Sequence, residues 1–593
     1  MLSGVIAIGC MRLSTDPDRD DERSVTVLHA ALDAGVTFFD TANAYCWTND
    51  DIGHNERLLA RAIGSWSGDR SRLTIATKGG LTRPEGRWEP DGRAKHLAAA
   101  CERSCRALGV TAIDLYQLHV VDPQVPLATS VRALAALKRA GLIKTIGLCN
   151  VTIRQIEEAR RITDIDAVQH ELSVWHDGAV LGGVVQHCIR HKIRFLAYRP
   201  LGGRKSAPRT AADAVLGEVA ARHGATPFDV ALAWVSDLDP LVTPLPGVTQ
   251  VSTAQAAARA QQIRLTDADR EVLDARFPHG RLLRERSRPH PVPATRLGAE
   301  IVMVMGIPAA GKSTLTKQFV ADGYLRLNRD ESGGTLRGLL PTLRRALQGG
   351  APRIVLDNTY VTRKSRAEAI QAASELGVPV RCVWLTTSLD DAQVNAVTRL
   401  IERYGHLPDE RELRQLRKTD VAAFAPSVLF RYQRELEPPD PSEGFLSILE
   451  VPFKRAANPA HVNRAVIAWC DEPSQLEALA PALRQHQDAG WIICVLSWQP
   501  GIEDGTPTDA DVRASFAAVG DRAGLRFDLE ICPHGAGPPR CWCRKPLPGL
   551  GVALIHRHTL DPAQCLFVGN GPQDAGFARK VGLRHVPMVA ALS

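Results

Sequence analysis

No apolar run in this chain of 593 residues approaches the roughly 18 needed to cross a bilayer, so no membrane span is expected; the longest, Trp491 to Leu496, suits a buried strand. The opening residues Met1 to Ala7 bring no basic stretch and no cleavage site, so no secretory signal is expected. Cysteine is sparse, with 13 residues scattered along the chain except for one cluster between Cys532 and Cys543. That usage excludes a disulfide scaffold and suits a reduced, cytoplasmic protein with one metal site. Internal repeats are absent, which excludes a solenoid. A strong charge of one sign is also missing: 72 Lys and Arg against 65 Asp and Glu give +7, which permits a polyanionic partner without arguing for one.

What is present is an ordinary soluble composition, 45% hydrophobic and 23% charged, in a chain too long for one hydrophobic core. From Ala30 to Thr249 short β-branched runs alternate with longer amphipathic patterns, the rhythm of βα units on a parallel sheet. The stretch Arg276 to Arg296 carries six arginines and four prolines without periodicity and reads as an extended, solvated linker. A second α/β unit opens with the strand Glu300 to Met305 and closes with the run Phe445 to Phe453. A hinge, Lys454 to His461, then leads to a third unit with strands near Ala465, Trp491 and Cys565. The expected division is residues 1–277, a basic Pro-rich linker at 278–297, then 298–455 and 462–593.

In the first unit four residues carry chemistry: Asp40 in FFDTANAY, Tyr45 five residues on, Lys78 in TIATKGG and His119 in LYQLHVVD. Each is expected near the carboxyl end of a strand, where barrel proteins gather catalytic groups. A tyrosine is a poor acid at neutral pH unless a cation lowers its pKa. A lysine held by a carboxylate supplies that cation, and a histidine can orient a carbonyl oxygen. In this order and spacing the four resemble the aldo-keto reductase family from about Val5 to Phe277, together with GLCN at Gly147 to Asn150, VQHE at Val168 to Glu171 and AYRPLGG at Ala197 to Gly203. The resemblance implies a (β/α)8 barrel, a carbonyl substrate and a nicotinamide cofactor. In that family the positions of Asn150 and Gln169 hold the nicotinamide amide and that of Tyr198 stacks on the ring. The segment Pro246 to Ala257, where the family often places basic residues for a 2′-phosphate, has none, so the cofactor implied is NADPH or NADH.

The second unit contains GIPAAGKST, Gly306 to Thr314, between an apolar strand and a helical run, the context that makes such a match a P-loop. Gly306 and Gly311 let backbone N–H groups face phosphates, Lys312 reaches the β/γ oxygens, Ser313 ligates Mg²⁺ and Thr314 starts the helix, so ATP is the expected ligand. Asp330 ends LNRD after a second strand, where it can take a hydroxyl proton, and Asp357 ends a third strand near the metal. RKSR at Arg363 to Arg366 and the helix carrying Arg399 and Arg403 can clamp phosphates. With GYLRLNRD, VLDNTYVTRKSR and EGFLSILEVPF, the unit resembles the kinase domain of the polynucleotide 5′-kinase/3′-phosphatase family. That implies a 5′-hydroxyl end of RNA or DNA as acceptor, Asp330 as base, and Arg366 and Arg399 as phosphate contacts. The alternative is a kinase acting on a small sugar or alcohol.

The third unit places Cys532, His534, Cys541 and Cys543 within twelve residues, a Cys₃His set expected to close around a structural Zn²⁺. With CRKPLPG, VLSWQPG and LFVGNGPQD it resembles the zinc-loop haloacid dehalogenase phosphatases, which implies a Rossmannoid sheet. Active members of that superfamily carry D-x-D after the first strand; here Trp469 stands at the nucleophile position, Asp471 survives, and Asn570 replaces a later aspartate. Ser497 and Lys545 match phosphate-contacting positions, so binding without hydrolysis is expected. The whole reads as a nucleic-acid end-processing enzyme joined to a carbonyl reductase; it contains no recognisable ligase, so sealing or repair partners would act in trans.

Overall fold

The computed structural model describes residues 6–286, 299–349, 353–537, 540–571 and 573–588. The chain divides into two compact units, residues 1–292 and 293–593. No helix among the described residues is long and apolar enough to cross a membrane.

The first unit is a barrel of eight parallel strands: β1 (Ile8–Gly9), β2 (Phe38–Asp40), β3 (Thr74–Gly79), β4 (Ile113–Leu118), β5 (Ile143–Cys149), β6 (Ala167–Glu171), β7 (Arg194–Tyr198) and β8 (Val242–Leu245). Neighbours pair in sequence order, and Ala7 N–H donates to Pro244 at 2.9 Å and Gly9 N–H to Pro246 at 2.9 Å, closing the sheet on itself. Closure removes every sheet edge and lets the barrel interior fill with side chains, here Ala7, Phe38, Ala76, Leu115, Ala167 and Leu196.

One expectation is corrected at the end of this unit. The stretch after Arg276 does not run out as an extended tether; His279–Arg286 is a helix. Leu283 is buried, and Arg284 pairs with Asp274 at 3.0 Å and Asp237 at 3.2 Å, so one arginine of a run that looked solvated docks the helix on the barrel. The rest of the expected linker, residues 287–298, lies outside the described residues.

The second unit holds two five-stranded parallel sheets. One has the order β10–β11–β9–β12–β13, built from β9 (Glu300–Met305), β10 (Leu325–Leu327), β11 (Arg353–Asp357), β12 (Val380–Leu385) and β13 (Ser447–Val451). In β9, Val302 and Val304 serve the core on one face and Ile301, Met303 and Met305 the core on the other. A strand covered on both faces has no polar side to show, which is why its sequence is unbroken apolar. The other sheet has the order β16–β15–β14–β17–β18, from β14 (Ala465–Trp469), β15 (Ile492–Trp498), β16 (Asp528–Cys532), β17 (Leu566–Val568) and β18 (Arg584–Val586). Its central β14 splits its side chains between two cores in the same way.

The sequence suggests two domains parted at Lys454 to His461, yet both sheets lie in one compact unit. The cause is a shared core: Trp542, Leu547 and Val552, which follow β16, pack with Val397, Leu400, Phe424 and Leu429 beside the β9 sheet.

Candidate functional site

In the barrel, Asp40 ends β2, Lys78 lies in β3, His119 follows β4 and Tyr45 sits in the loop after β2. The fold brings them together. Lys78 Nζ donates to the Asp40 carboxylate, to Thr41 O at 3.0 Å and to Tyr45 Oη at 3.0 Å, so its three hydrogens are all used. The Tyr45 hydroxyl accepts from an ammonium and keeps its own proton for another partner. Burial pushes Tyr45 up to about 12 while Lys78 pulls it back. Lys78 is raised above its ordinary range: burial opposes the charge, but Asp40 and Tyr45 outweigh it. His119 meets Tyr45 edge to face at 5.5 Å, and its imidazole is held well below its usual range by burial and by the Lys78 charge. Its Nδ1 is buried without a hydrogen-bond partner among the described residues, as expected of a group waiting for a ligand.

Of the expected cofactor residues, Gln169 lies against the same centre, donating to Asp40 Oδ1 at 2.9 Å. Asn150 is exposed at the end of β5 with φ 56°, and its Oδ1 accepts from Tyr198 Oη at 2.9 Å. Two participants escaped sequence reasoning. Gln117 donates to Asp40 Oδ1 at 3.0 Å; it stands two residues before His119 on β4, and the period of two that puts both on the inner face could have found it. Trp88 meets Tyr45 at 6.3 Å and His119 at 6.2 Å beside a short hairpin, a placement with no sequence signal.

In the second unit the P-loop runs from β9 into the helix Lys312–Ala321, with Gly311 at φ +97°, a conformation that side chains rarely adopt. Lys312 Nζ donates to Gly306 O at 3.0 Å and Ile307 O at 2.9 Å, folding over its own loop. Burial pulls it down to about 8, opposed by Asp357. Ser313 and Thr314 are exposed at the start of the helix. Asp357 is buried and takes both Arg326 contacts, at 2.6 and 3.0 Å, on Oδ2. Asp330 is half-exposed and paired with Arg329 at 2.6 Å.

Three expected phosphate-binding arginines separate here. Arg366 is corrected: it is fully buried and donates to both Glu443 oxygens, at 2.7 and 2.8 Å, and to the carbonyls of Tyr360, Glu437 and Pro438. With its donors all committed inside the protein it ties RKSR to the EGFLSILEVPF segment and has nothing left for a phosphate. Arg403 is exposed and pairs with Asp420 at 3.0 Å. Arg399 is the one of the three with a donor left over: it donates to Ala422 O at 3.2 Å, and its Nε is buried with no hydrogen-bond partner among the described residues.

In the last sheet the ligand atoms of Cys532, His534, Cys541 and Cys543 lie within 4.8 Å of one another. Cys543 Sγ is 3.3 Å from Cys532 Sγ and 3.2 Å from His534 Nδ1, and Cys532 Sγ is 3.8 Å from that nitrogen. Tetrahedral zinc calls for edges of roughly 3.5–3.8 Å; the Cys532–His534 separation matches this and the two Cys543 separations are a few tenths shorter, so a small outward shift of Cys543 would let the Cys₃His set hold the ion. Nearby, Lys545 Nζ pairs with Asp574 at 2.7 Å and lies 4.2 Å over the Trp469 ring, whose Nε1–H donates to Asp471 Oδ1 at 2.8 Å. Asp471 also accepts from Trp498 N–H at 2.8 Å. Cys470 is pushed up to about 12 by burial and Asp471, so it is no thiolate.

Fold and site together define a (β/α)8 protein with a buried lysine–carboxylate–tyrosine centre, continued by parallel-sheet units of which one carries a P-loop. The model of the aldo/keto reductase family matches residues 5–276, and that of an AAA domain matches residues 301–420. An oxidoreductase of Schizosaccharomyces pombe, itself named as uncharacterized, is 32% identical over 272 residues, spanning 45% of this chain and 84% of that protein. Through its barrel, the chain belongs to the aldo/keto reductase family. Among solved structures, a thermostable aldo-keto reductase bound to epalrestat is 28% identical with TM-score 0.40, over 46% of this chain and 94% of that one. An aldo/keto reductase from Klebsiella pneumoniae in complex with NADP and acetate is 24% identical with TM-score 0.41, over 46% and 91%.

Proposed function

We propose that the barrel reduces carbonyl compounds with NADPH or NADH. The observation that carries this reading is the hydrogen bond from the buried Lys78 ammonium to Tyr45 Oη, with His119 beside it. Tyr45 gives its proton to the carbonyl oxygen, Lys78 and Asp40 hold the charge left behind, and His119 orients the carbonyl. The nicotinamide supplies the hydride when bound; Asn150, Gln169 and Tyr198 are the residues that would hold it. Oxidation of NADPH or NADH by a reactive aldehyde, stopped by Tyr45→Phe, tests the reading.

The P-loop unit is read as an ATP- and Mg²⁺-dependent kinase for 5′-hydroxyl ends of RNA or DNA, with Lys312 on the transferred phosphate, Ser313 and Asp357 at the metal, Arg399 on phosphate and Asp330 as base. A second reading, phosphorylation of a small sugar or alcohol, is favoured by one finding: Arg366 is withdrawn into the protein, which leaves fewer cations for a polyanion. Labelled-phosphate transfer to 5′-hydroxyl oligonucleotides against small alcohols separates the two. Lys312→Ala and Asp330→Asn should each abolish transfer, and full activity in Asp330→Asn overturns the base.

The last sheet is read as a zinc-binding, haloacid dehalogenase-like domain without hydrolytic activity. Trp469 has no lone pair suited to attack phosphorus, and Asp471 already accepts two hydrogen bonds. Thirteen cysteines, all buried and free of disulfides, support a cytoplasmic protein.

A further inference from the structure

A domain without a nucleophile invites the question of what its metal loop does, and the helix Leu389–Tyr404 suggests a use. This helix touches the P-loop with one set of side chains: Asn395 Nδ2 donates to Ala309 O at 3.0 Å, and Arg399, four residues on, shares that face of the helix. With another set it meets the C-terminal sheet, where Lys580 reaches Gln393 at 2.6 Å and Asp390 at 3.1 Å. The firmest link is Trp542, the residue between Cys541 and Cys543. Its ring is 1% exposed and packs in the core beside the β9 sheet rather than in the core around the cysteines. Its Nε1–H donates to Phe424 O at 3.0 Å, and the two rings meet at 6.2 Å. The Arg399 guanidinium lies 5.6 Å from the centre of the same Phe424 ring and bonds the carbonyl of Ala422 two residues earlier.

We propose that the Cys532–His534–Cys541–Cys543 loop, closed by zinc, is a brace for nucleotide binding: Trp542 holds the segment around Phe424, and that segment holds Arg399 at the phosphate site. Trp542 is thus a positioning residue, acting through Arg399. The cysteines on either side of Trp542 fix its backbone only when the metal ties them together, since thiols alone impose no common centre. Closed zinc sites serve such a role because all four coordination positions go to protein. The alternative, that Trp542 merely fills a core, makes a different prediction for how its loss combines with the loss of Arg399. The proposal rests on the readings of the P-loop as an ATP site and of the cysteine loop as a zinc site.

The test is a double-mutant cycle on the full chain, read as ATP–Mg²⁺ affinity by calorimetry, with zinc content measured on every sample. Trp542→Ala and Arg399→Ala should each weaken ATP binding by roughly tenfold, and the double variant should be little weaker than either, because contacting residues couple. Trp542→Phe, which keeps the ring but not the N–H, should fall between. Zinc removal should lower affinity in the wild type, change its tryptophan fluorescence by an increment that Trp542→Phe lacks, and leave the affinity of Trp542→Ala unchanged. Far-UV circular dichroism and the thermal transition of every variant should match the wild type, reporting that the second unit stays folded. Additive losses, or a Trp542→Ala protein that keeps its zinc and binds ATP as the wild type does, overturn the brace. Wild-type protein that binds no ATP overturns the P-loop reading, and wild-type protein without zinc overturns the metal reading; the brace falls with either.

Discussion

Two places among the described residues set a lysine against a buried carboxylate and beside an aromatic ring, and only one of them has the makings of a catalyst. In the barrel, Lys78 and Asp40 are shielded almost entirely from water and the third partner is Tyr45. In the last sheet, Lys545 and Asp574 form the pair, with the lysine 17% exposed, and the third partner is Trp469. The lysine meets the phenol at its hydroxyl, where a cation stabilises phenolate and so makes a proton available. It meets the indole at its face, where a cation–π contact stabilises the ring without making it acidic or nucleophilic. The indole N–H is turned to Asp471, which it satisfies. A lysine–carboxylate pair is therefore only a source of field; the side chain placed in that field decides whether chemistry follows.

The largest effect expected from breaking this contrast is at Lys78. Lys78→Met leaves Asp40 buried with only Gln117 and Gln169 as donors, and removing one partner of a buried pair costs about 3–5 kcal/mol. Chemical denaturation should show that loss together with the disappearance of carbonyl reduction. Lys545→Met, at the more exposed pair, should cost about 1–3 kcal/mol in the same experiment with no activity to lose. Equal stabilities for the two variants would break the comparison.

Tyr45→Phe comes next. It removes a proton donor and the acceptor of one Lys78 hydrogen bond but no packing, so turnover should fall by about 10²–10⁴-fold while stability drops by only about 1–3 kcal/mol. The matching change in the last sheet is Trp469→Phe, which keeps a ring under Lys545 and frees Asp471 of one donor. It should move stability by about 0.5–1.5 kcal/mol, the net worth of a hydrogen bond, and neither it nor the wild type should release phosphate from 3′-phosphate oligonucleotides or histidinol phosphate with Mg²⁺. Wild-type hydrolysis abolished by Asp471→Ala would show that the carboxylate, not the residue at 469, governs this site.

These contrasts also mark what the sequence makes legible. Asp40, Lys78 and His119 are readable because they sit at strand ends, where local spacing fixes direction, Tyr45 because it follows Asp40 by five residues, and the P-loop because its own backbone makes the phosphate cradle. Arg366 is not: in the basic run RKSR it looks ready for a phosphate, and only the distant Glu443 shows that the guanidinium is buried. The helix His279–Arg286 escapes for the same reason, since its Arg284 answers Asp237 and Asp274 from elsewhere in the chain. Trp88 and Trp542 stand in irregular segments, where periodicity has nothing to say about direction. Long-range partners decide these cases, and one-dimensional patterns do not contain them.

The smallest effect is expected from pH, and it sharpens the assignment of the acid. Two groups beside Lys78 could limit carbonyl reduction near neutrality, Tyr45 and His119. Burial and the Lys78 charge hold His119 well below its usual range, so it stays neutral as pH falls toward 6 and produces no acid limb there. Tyr45 must carry a proton to give one; with burial pushing it up to about 12, that form is fully present across neutrality and is lost only as pH rises toward that value. The rate at low substrate, which reports the groups of the free enzyme, should accordingly vary by less than about threefold between pH 6 and 9. His119→Gln should lower that plateau without bending it, because the residue orients the carbonyl and does not titrate in this range. An acid limb near pH 6.5 that vanishes in His119→Gln would make the histidine the titrating acid and reduce Tyr45 to a positioning role.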